Sequence, residues 1–230
     1  METGVPHRPV LYQEIIQYLA PFSPGRYLDC TAGAGGHSKG ILEASAPDGQ
    51  LVALDLDPDA VALARATLAP FGSRAIVKHA SYTESAQVLA EIGWQKVDGI
   101  VLDLGVSSMQ LDQAERGFSF QQNGPLDMRF DPTRGPSAAD LVNNLDEKAL
   151  ADLIWRYGEE RYSRKIARAI VQARPLQTTQ ELATVVRFAI GRTSERLDPA
   201  TRTFQALRIA VNDELKNIQE ALPQLIELLE

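Results

Sequence analysis

The feature that most constrains the fold is a glycine-rich turn between an apolar strand and a helix, followed by a second apolar strand that ends on carboxylates. The turn lies within Tyr27–Lys39, and the second strand lies within Leu51–Asp57. Glycines let the backbone pass close to a ligand and take positive φ angles without a steric penalty. A carboxylate at the tip of the next strand can accept hydrogen bonds from both hydroxyls of a ribose. The pattern predicts a nucleoside-containing cofactor at the carboxyl ends of a parallel sheet.

The spacing of the glycines discriminates between cofactors. The dinucleotide fingerprint needs glycine at its first, third and sixth positions, whereas here Gly33 and Gly35 fit and Ser38 stands at the sixth. The sequence contains no Gly-x4-Gly-Lys-Ser/Thr phosphate-binding loop. Asp29 before the turn and Asp55 at the second strand tip suit S-adenosylmethionine better than NAD. The alternative is a tight strand–helix connection without a ligand, and the presence of Asp55 weighs against it.

Apolar and helical patterns alternate through the first half of the chain. This alternation predicts an α/β fold with about four parallel strands and helices on both faces of the sheet. The strands are expected at about 26–30, 51–55, 75–79 and 97–103, with helices around 9–20, 37–45, 58–69 and 83–92.

After Leu104 the alternation stops, and only helical patterns return. We therefore predict a cofactor-binding Rossmann-like domain over 1–110, to which a final helix at about 214–230 returns, and a helical substrate-recognition insertion over 111–213. The helical patterns lie at about 137–143, 146–157, 159–173, 178–190 and 200–229.

Charge is distributed unevenly along the sequence. The chain of 230 residues has a net charge of −7, yet residues 151–210 hold eleven Lys and Arg against six Asp and Glu. A basic segment on an acidic body favours a nucleic-acid partner, and a solvated helical face is the alternative. One cysteine, Cys30, and the lack of any long apolar run indicate a cytoplasmic protein without a disulfide or a membrane span.

Several further motifs resemble one known family. They are Val97–Gln110, Glu115–Phe120 and Gly124–Arg134, together with His7–Leu11, Ala32–His37, Tyr157–Arg161 and Ala200–Arg208. In this order they resemble the MraW/RsmH family of S-adenosylmethionine-dependent methyltransferases, which act on the N4 amine of a cytosine in 16S ribosomal RNA. The resemblance implies a class I methyltransferase sheet and cytosine 1402 of the decoding region as the target.

The resemblance also implies which residues contact the cofactor. Backbone N–H groups at 35–37 would meet the methionine carboxylate, since a helix N-terminus suits an anion. Asp55 would hold the ribose, and Tyr82 would stack on adenine or serve as a core aromatic. Asp103 would accept an N4 hydrogen as the catalytic residue, contact the cofactor, or cap a loop. The implied cofactor contacts are Gly35, Gly36, His37, Asp55, Tyr82, Asp103 and Gln110.

The expected RNA contacts lie in the second half. Phe118 or Phe120 could stack on a flipped cytosine, or both could pin their loop to the core. Arg116, Arg129 and Arg134 could meet phosphates or pair with nearby aspartates. No cluster has metal-ligand spacing. The residues expected to face RNA are Phe118, Arg164, Lys165, Arg168, Arg202 and Arg208.

Alternative functions and partners stay open at this point. A DNA amino-methyltransferase usually has Asp/Asn/Ser-Pro-Pro-aromatic after strand four, and Asp103-Leu-Gly-Val106 disfavours it. A non-catalytic module that binds S-adenosylmethionine or RNA is a third reading. The expected partner is 16S rRNA or the small ribosomal subunit, with no DNA and no membrane, and a homodimer is left open.

Members of the resembled family have further sheet strands after the final helix, whereas this sequence ends at Glu230. We therefore expect an incomplete sheet with an open outer edge on strand four, poor solubility and little activity.

Overall fold

The chain divides into two units in a computed structural model that describes residues 9–191 and 196–230. The first, here called the sheet unit, consists of Met1–Gly105 and Asn217–Glu230, and the second, the helical unit, is Val106–Lys216. That the first unit binds a cofactor and the second a substrate stays a prediction.

The sheet unit is built on four parallel strands in the order β3-β2-β1-β4. In the register of the sheet, Leu28 of the first strand lies between Val52 and Ile100 of its two neighbours. The predicted α/β class with a parallel sheet is confirmed, although the fourth strand is shorter than the predicted 97–103. The strands are β1 (Arg26–Asp29), β2 (Gln50–Asp55), β3 (Ala75–His79) and β4 (Gly99–Val101).

Helix starts in the sequence agree with local capping chemistry. Asp57 caps the third helix by accepting a hydrogen bond from the Asp59 N–H at 3.0 Å, and Pro58 occupies the first helical position, where proline lacks only an N–H that would have no partner in the helix. The helices of the described residues are α1 (Tyr12–Leu19), α2 (Gly36–Ala44), α3 (Pro58–Leu68), α4 (Ser85–Glu91), α5 (Ser108–Asp112), α6 (Ala138–Asn144), α7 (Glu147–Gly158), α8 (Ser163–Ala173), α9 (Thr179–Ile190), α10 (Thr201–Val211) and α11 (Glu214–Glu227).

The sheet is covered on both faces, because alternate residues of a strand point to opposite sides. One face packs on α4 and the second half of α11, and the other packs on α2 and α3. This two-sided burial is why the middle residues of both strands, Tyr27-Leu28 in β1 and Leu51–Leu54 in β2, are apolar without alternation. The first cluster includes Leu28, Val52, Leu54, Val88, Leu89, Ala221 and Leu225, and the second includes Tyr27, Leu51, Ala53, Ile41, Leu42, Ala64 and Leu68.

The helical unit has its own apolar core, to which α6 to α10 contribute. Leu150 and Ile154 of α7, Ile166 of α8, Leu182 of α9 and Leu207 of α10 are all fully buried in it. Burial of this kind stabilises by about 1.5–3 kcal/mol for each large side chain.

The structure divides the helical pattern over 200–229 into two helices, α10 and α11, and the second begins at Glu214, where the final helix at about 214–230 is expected to start. Asp213 takes a positive φ of 49° between them. The Asn212 amide nitrogen donates to the carbonyls of Met128 and Arg208, at 2.8 and 2.9 Å, and its oxygen accepts the Phe130 N–H at 2.7 Å. These three hydrogen bonds fix the chain where the helix ends, so a long-range contact overrides the local helical pattern.

The outer edge of β4 is not open along its whole length, and the expectation that it would be is wrong at Val97. The Val97 N–H donates to the Leu228 carbonyl at 2.9 Å, and the Glu230 N–H donates to the Val97 carbonyl at 3.1 Å. Within the described part of the chain, Gly99–Val101 pairs only with β1.

Candidate functional site

The glycine turn joins β1 to α2 at the carboxyl edge of the sheet. Gly33 and Gly35 have positive φ angles of 52° and 84°, and Gly35 directly precedes the helix. Among the described residues no side chain caps α2, so the N–H groups of its first turn are oriented to bind an anion. The Gly35 N–H already donates to the Ala32 carbonyl at 2.7 Å. The amides oriented for an anion are therefore those of Gly36 and His37.

Gly36 also allows a second segment to approach the turn. A Cβ atom placed on Gly36 would lie 2.3 Å from the Pro9 side chain, a separation that no real contact allows. The segment Pro9–Leu11 therefore lies directly against the start of α2, and glycine is required at this position for steric reasons.

Asp55 ties the tip of β2 to the glycine turn. One carboxylate oxygen accepts the Gly33 N–H at 2.8 Å, and the other accepts the Asp57 N–H at 2.9 Å. Burial raises the pKa of Asp55, and these two hydrogen bonds oppose that shift. Each carboxylate oxygen has a second lone pair, so Asp55 can accept hydrogen bonds from a ligand while it holds the turn.

Asp29 lies at the end of β1 and is completely buried. Its carboxylate accepts a 2.6 Å hydrogen bond from the Ser38 hydroxyl and a 3.1 Å bond from the Thr31 N–H. Burial is the main cause of its raised pKa. The sequence pattern counts Asp29 in favour of S-adenosylmethionine; in the structure its carboxylate is buried and fastens α2 to β1 through Ser38.

His37 and Asp103 come together above this edge. The Nδ1 atom of His37 lies 3.9 Å from an Asp103 carboxylate oxygen, and its Nε2 atom lies 3.1 Å from the Val10 carbonyl. Because a carbonyl only accepts, Nε2 carries a hydrogen. His37 is 5% exposed, whereas the Asp103 side chain is 49% exposed. Asp103 is thus the carboxylate of this edge that is most open to a substrate.

Tyr82 follows β3 in a short 3-10 turn. It is half-buried and packs against the cluster under α4, so its ring is partly a core aromatic. The Tyr82 carbonyl accepts the Ser85 hydroxyl at 2.7 Å, which fixes the turn at the carboxyl edge of the sheet.

Gln110 belongs to the helical unit, where it lies in α5. Its side-chain oxygen accepts the Ser107 N–H at 2.9 Å while the Ser107 hydroxyl accepts the Gln110 N–H at 3.2 Å. This reciprocal arrangement caps the helix. The predicted cofactor contact therefore has a structural role in its own unit, and its role toward a ligand stays a prediction.

Phe118 is buried in the helical unit, at 7% exposure. Its ring stacks on Phe130 with centroids 5.5 Å apart. Phe120 packs edge-to-face on Phe204 at 4.8 Å. These contacts favour the alternative in which both rings pin their loop to the core. Stacking of Phe118 on a base stays a prediction, and it requires the buried ring to become exposed.

The loop arginines are engaged within the protein. Arg129 binds Asp127 through two nitrogens, at 2.9 and 2.7 Å, and Arg134 lies 3.3 Å from Asp131. Arg116 is buried and donates to two backbone carbonyls. The structure therefore favours ion pairing for Arg129 and Arg134 and support of the loop backbone for Arg116.

The five cations predicted to face RNA fall into two groups. Arg208 forms a forked ion pair with Glu214 at 2.7 and 3.0 Å, and Arg202 lies 3.9 Å from Glu160. Burial raises the pKa of Glu214, and Arg208 opposes that shift. Arg164, Lys165 and Arg168 are exposed on α8, where Arg168 lies 3.3 Å from Glu147.

Other chemistries find little support in the described residues. Residues 9–191 and 196–230 contain no group of three or more His, Cys, Asp or Glu that could hold a metal ion. Cys30 is buried 3.9 Å from the Ser85 hydroxyl, and burial raises the pKa of its thiol to about 12, which leaves it protonated and unreactive. None of the helices in these two ranges is both long and apolar enough to cross a membrane.

Comparison with known proteins identifies the family of this α/β chain. The sequence model described as the MraW methylase family matches residues 4–230. The chain therefore belongs to the MraW methylase family.

Three relatives with 50–53% sequence identity to this chain are each named "Ribosomal RNA small subunit methyltransferase H". A protein of Dehalococcoides mccartyi is 53% identical over 227 residues, which cover 99% of this chain and 65% of the relative. A Geobacter protein is 53% identical over 228 residues, covering 97% of this chain and 73% of the relative. One of Thermomicrobium roseum is 50% identical over 226 residues, covering 97% and 69%. The chain thus spans about two thirds of the length of these relatives.

Proposed function

We propose that this chain provides the cofactor edge and the RNA-binding helices of an S-adenosylmethionine-dependent methyltransferase. The proposed reaction methylates the N4 amine of cytosine 1402 in 16S ribosomal RNA. Membership of the MraW methylase family and the name of the relatives support the reaction class and the substrate class. The observation that carries the proposal is Asp55, whose carboxylate holds the Gly33 N–H at 2.8 Å at the carboxyl edge of the sheet.

The residues of this edge fit the polar groups of the cofactor. The amides of Gly36 and His37, at the start of α2, suit the methionine carboxylate. Asp55 keeps lone pairs for the ribose hydroxyls, and Tyr82 offers part of its ring to adenine. When bound, S-adenosylmethionine supplies an electrophilic methyl group, so the reaction requires no covalent enzyme intermediate.

The chain's own residues then have to orient the base and accept a proton. The cytosine amine is a poor nucleophile because its lone pair is delocalised into the ring. An Asp103 carboxylate that accepts a hydrogen bond from N4 would draw the nitrogen toward sp³ geometry and receive the proton that N4 releases. Orientation of this kind can lower a barrier by several kcal/mol, up to about 7–11 in ideal cases.

Asp103 is held from two sides for this role. Its backbone N–H donates to the Thr31 hydroxyl at 2.8 Å, which fixes the end of β4 against β1. The His37 imidazole, itself anchored to the Val10 carbonyl, lies 3.9 Å from the carboxylate. We infer that His37 is a positioning residue and that Asp103 touches the substrate.

The proposal is tested by methyl transfer from labelled S-adenosylmethionine to small-subunit RNA, with free DNA as a control substrate. The modified nucleoside is then identified by mass spectrometry. The little transfer that we expect should yield N4-methylcytidine in RNA alone, and the Asp103→Asn variant should be slower still, by about 10²- to 10⁴-fold. Label in DNA would favour the amino-methyltransferase of DNA, and cofactor binding without any transfer would favour a non-catalytic module.

A further inference from the structure

Trp155 is a large exposed aromatic residue on the helical unit. It lies on α7 directly after the buried Ile154, yet it is 58% exposed. Within residues 9–191 and 196–230 its indole N–H has no hydrogen-bond partner. Tyr162, which precedes α8, is 39% exposed, and the Arg161 guanidinium lies 4.9 Å from its ring centroid. Exposed aromatic rings beside arginine are typical of binding surfaces rather than of monomer surfaces.

Two cations next to these rings have no partner in the described part of the chain. Arg164 and Lys165 are exposed and form no ion pair or hydrogen bond there. Both lie in the first turn of α8, where the helix dipole disfavours positive charge. Arg168, one turn further on, is 68% exposed and lies 3.3 Å from Glu147. Helix stability therefore does not explain the position of the first two charges.

The rings and the cations lie on two consecutive helices, α7 and α8, and on the segment that joins them. Residues 159–162 connect α7 to α8, and the two helices pack together through Ile154 and Ile166 of the same core. Trp155 lies one turn before the end of α7, and Arg164 and Lys165 lie at the start of α8. Two exposed acids, Asp152 and Glu159, share this stretch. Glu160 is buried and accepts the Tyr162 N–H at 2.8 Å.

We propose that this surface, here called the α7–α8 surface, binds an unpaired RNA segment. A base stacks on Trp155, and adjacent phosphates pair with Arg164 and Lys165. Only an unpaired base can present a free face to an exposed ring, since bases in a duplex are already stacked. Cations beside the ring favour a polyanion over an apolar protein partner. The inference rests on the proposed function for RNA as the substrate class, and it adds the recognition of single strands.

Intrinsic fluorescence gives a direct test of stacking. The chain has two tryptophans, and Trp94 is 7% exposed, so the variant Trp94→Phe leaves Trp155 as the reporter. Addition of an unpaired oligoadenylate should quench this emission, and a hairpin duplex at the same phosphate concentration should quench it far less. Equal quenching by both, or none by either, would overturn the proposal.

Affinity measurements on the otherwise native chain give a second test. Trp155→Ala should weaken binding of the oligoadenylate by about tenfold, and Trp155→Phe should retain most of it. Phe188→Ala is the matched control, because Phe188 is 87% exposed on α9, and its affinity should be unchanged. Circular dichroism verifies that each variant is folded.

The outcomes separate this inference from the proposed function. If Arg164→Ala and Lys165→Ala weaken RNA binding but Trp155→Ala does not, stacking is wrong while the RNA substrate stands. If Trp155→Ala weakens binding only to assembled small-subunit particles and not to the oligoadenylate, the ring does not bind an unpaired strand by itself and the inference fails. RNA binding by the native chain, with quenching of Trp155 but without any methyl transfer, would count against the proposed function alone.

Discussion

The polar groups at the carboxyl edge of the sheet are held differently from those on the α7–α8 surface. Asp29 and Asp55 each accept two hydrogen bonds from neighbouring groups of the same unit, and burial raises the pKa of both. Arg164 and Lys165 are exposed and have no partner within the described residues. Groups fixed before binding suit a small ligand of one shape. Long exposed cations suit a flexible polyanion, whose attraction is screened by salt.

The largest expected effect comes from the inside of the helical unit. Ile154→Ala removes a side chain that is fully buried in the helical core, and it should lower the free energy of unfolding by about 2–5 kcal/mol. The adjacent change Trp155→Ala should alter it by no more than about 0.5 kcal/mol, as an exposed substitution does. Urea denaturation of both variants measures the difference. Similar losses would mean that Trp155 supports the fold and that the α7–α8 surface is not free to serve a ligand.

The next largest effect concerns cofactor affinity at the carboxyl edge of the sheet. Asp55→Ala should weaken binding of S-adenosylmethionine by about 1.5–3 kcal/mol, the range for hydrogen bonds to a charged group. Asp48→Ala is the matched control, since Asp48 is an exposed carboxylate before the start of β2, at the other end of that strand. Calorimetry gives both affinities. Unchanged binding in the Asp55 variant would contradict the assignment of the ribose to this residue.

A pH series tests whether Asp29 is as constrained as its burial indicates. Its pKa in the folded chain lies above its ordinary value of 3.8. The stability that it contributes is therefore complete below that value and is lost as pH rises through the folded pKa. Relative to Asp29→Asn, the native chain should lose up to about 1.4 kcal/mol for each pH unit in this window.

Unfolding by urea at several pH values from about 3 upward measures that difference. Asp59→Asn, at an exposed position in the first turn of α3, is the control and should follow the native chain. A difference between Asp29→Asn and the native chain that does not change with pH would show that the buried carboxylate titrates normally.

The smallest expected effect is a change in how strongly RNA affinity depends on salt concentration. Replacing Arg164, Lys165 and Arg168 together with alanine should flatten the dependence of RNA affinity on salt. The log–log slope should fall by about 0.7 for each phosphate that the variant no longer neutralises. Lys39→Ala, an exposed cation of the sheet unit, should leave the slope unchanged. Filter binding between low and moderate salt measures it. If the slope of the triple variant is unaltered, the RNA-facing charges lie elsewhere in the chain.

The sequence pattern predicts β1 and β2 well because the apolar residues of these two strands are buried on both faces of the sheet. A short, continuous apolar run between two helical patterns, such as Leu51–Leu54, predicts a buried parallel strand. Asp55 and Asp103 could be placed at the carboxyl edge of the sheet because parallel strands bring their carboxyl ends together. Local chemistry also predicts where α3 begins, since Asp57 and Pro58 act within a single turn.

Partners outside the same helical turn or strand could not be predicted in this way. The sequence does not show that Val10 anchors His37, that Phe118 meets Phe130 in the core, or that a carboxylate in another helix occupies Arg208. Each side chain has several possible partners of the right chemistry, and packing of the whole unit selects one. Candidate RNA residues are hardest to predict for this reason, because a free arginine and a paired one look the same in the sequence.

The hydrogen bonds of Asn212 limit which residues can replace it. Its amide group donates twice and accepts once, toward Met128, Arg208 and Phe130. Aspartate has the same size but only acceptor atoms, so it would face two carbonyl oxygens with negative charge. Leucine would remove the hydrogen bonds to the Met128 carbonyl and the Phe130 N–H. Slow deamidation of Asn212 would produce the same carboxylate and the same loss of two donated hydrogen bonds. A chemical change in this one side chain would therefore loosen the junction of α10 and α11.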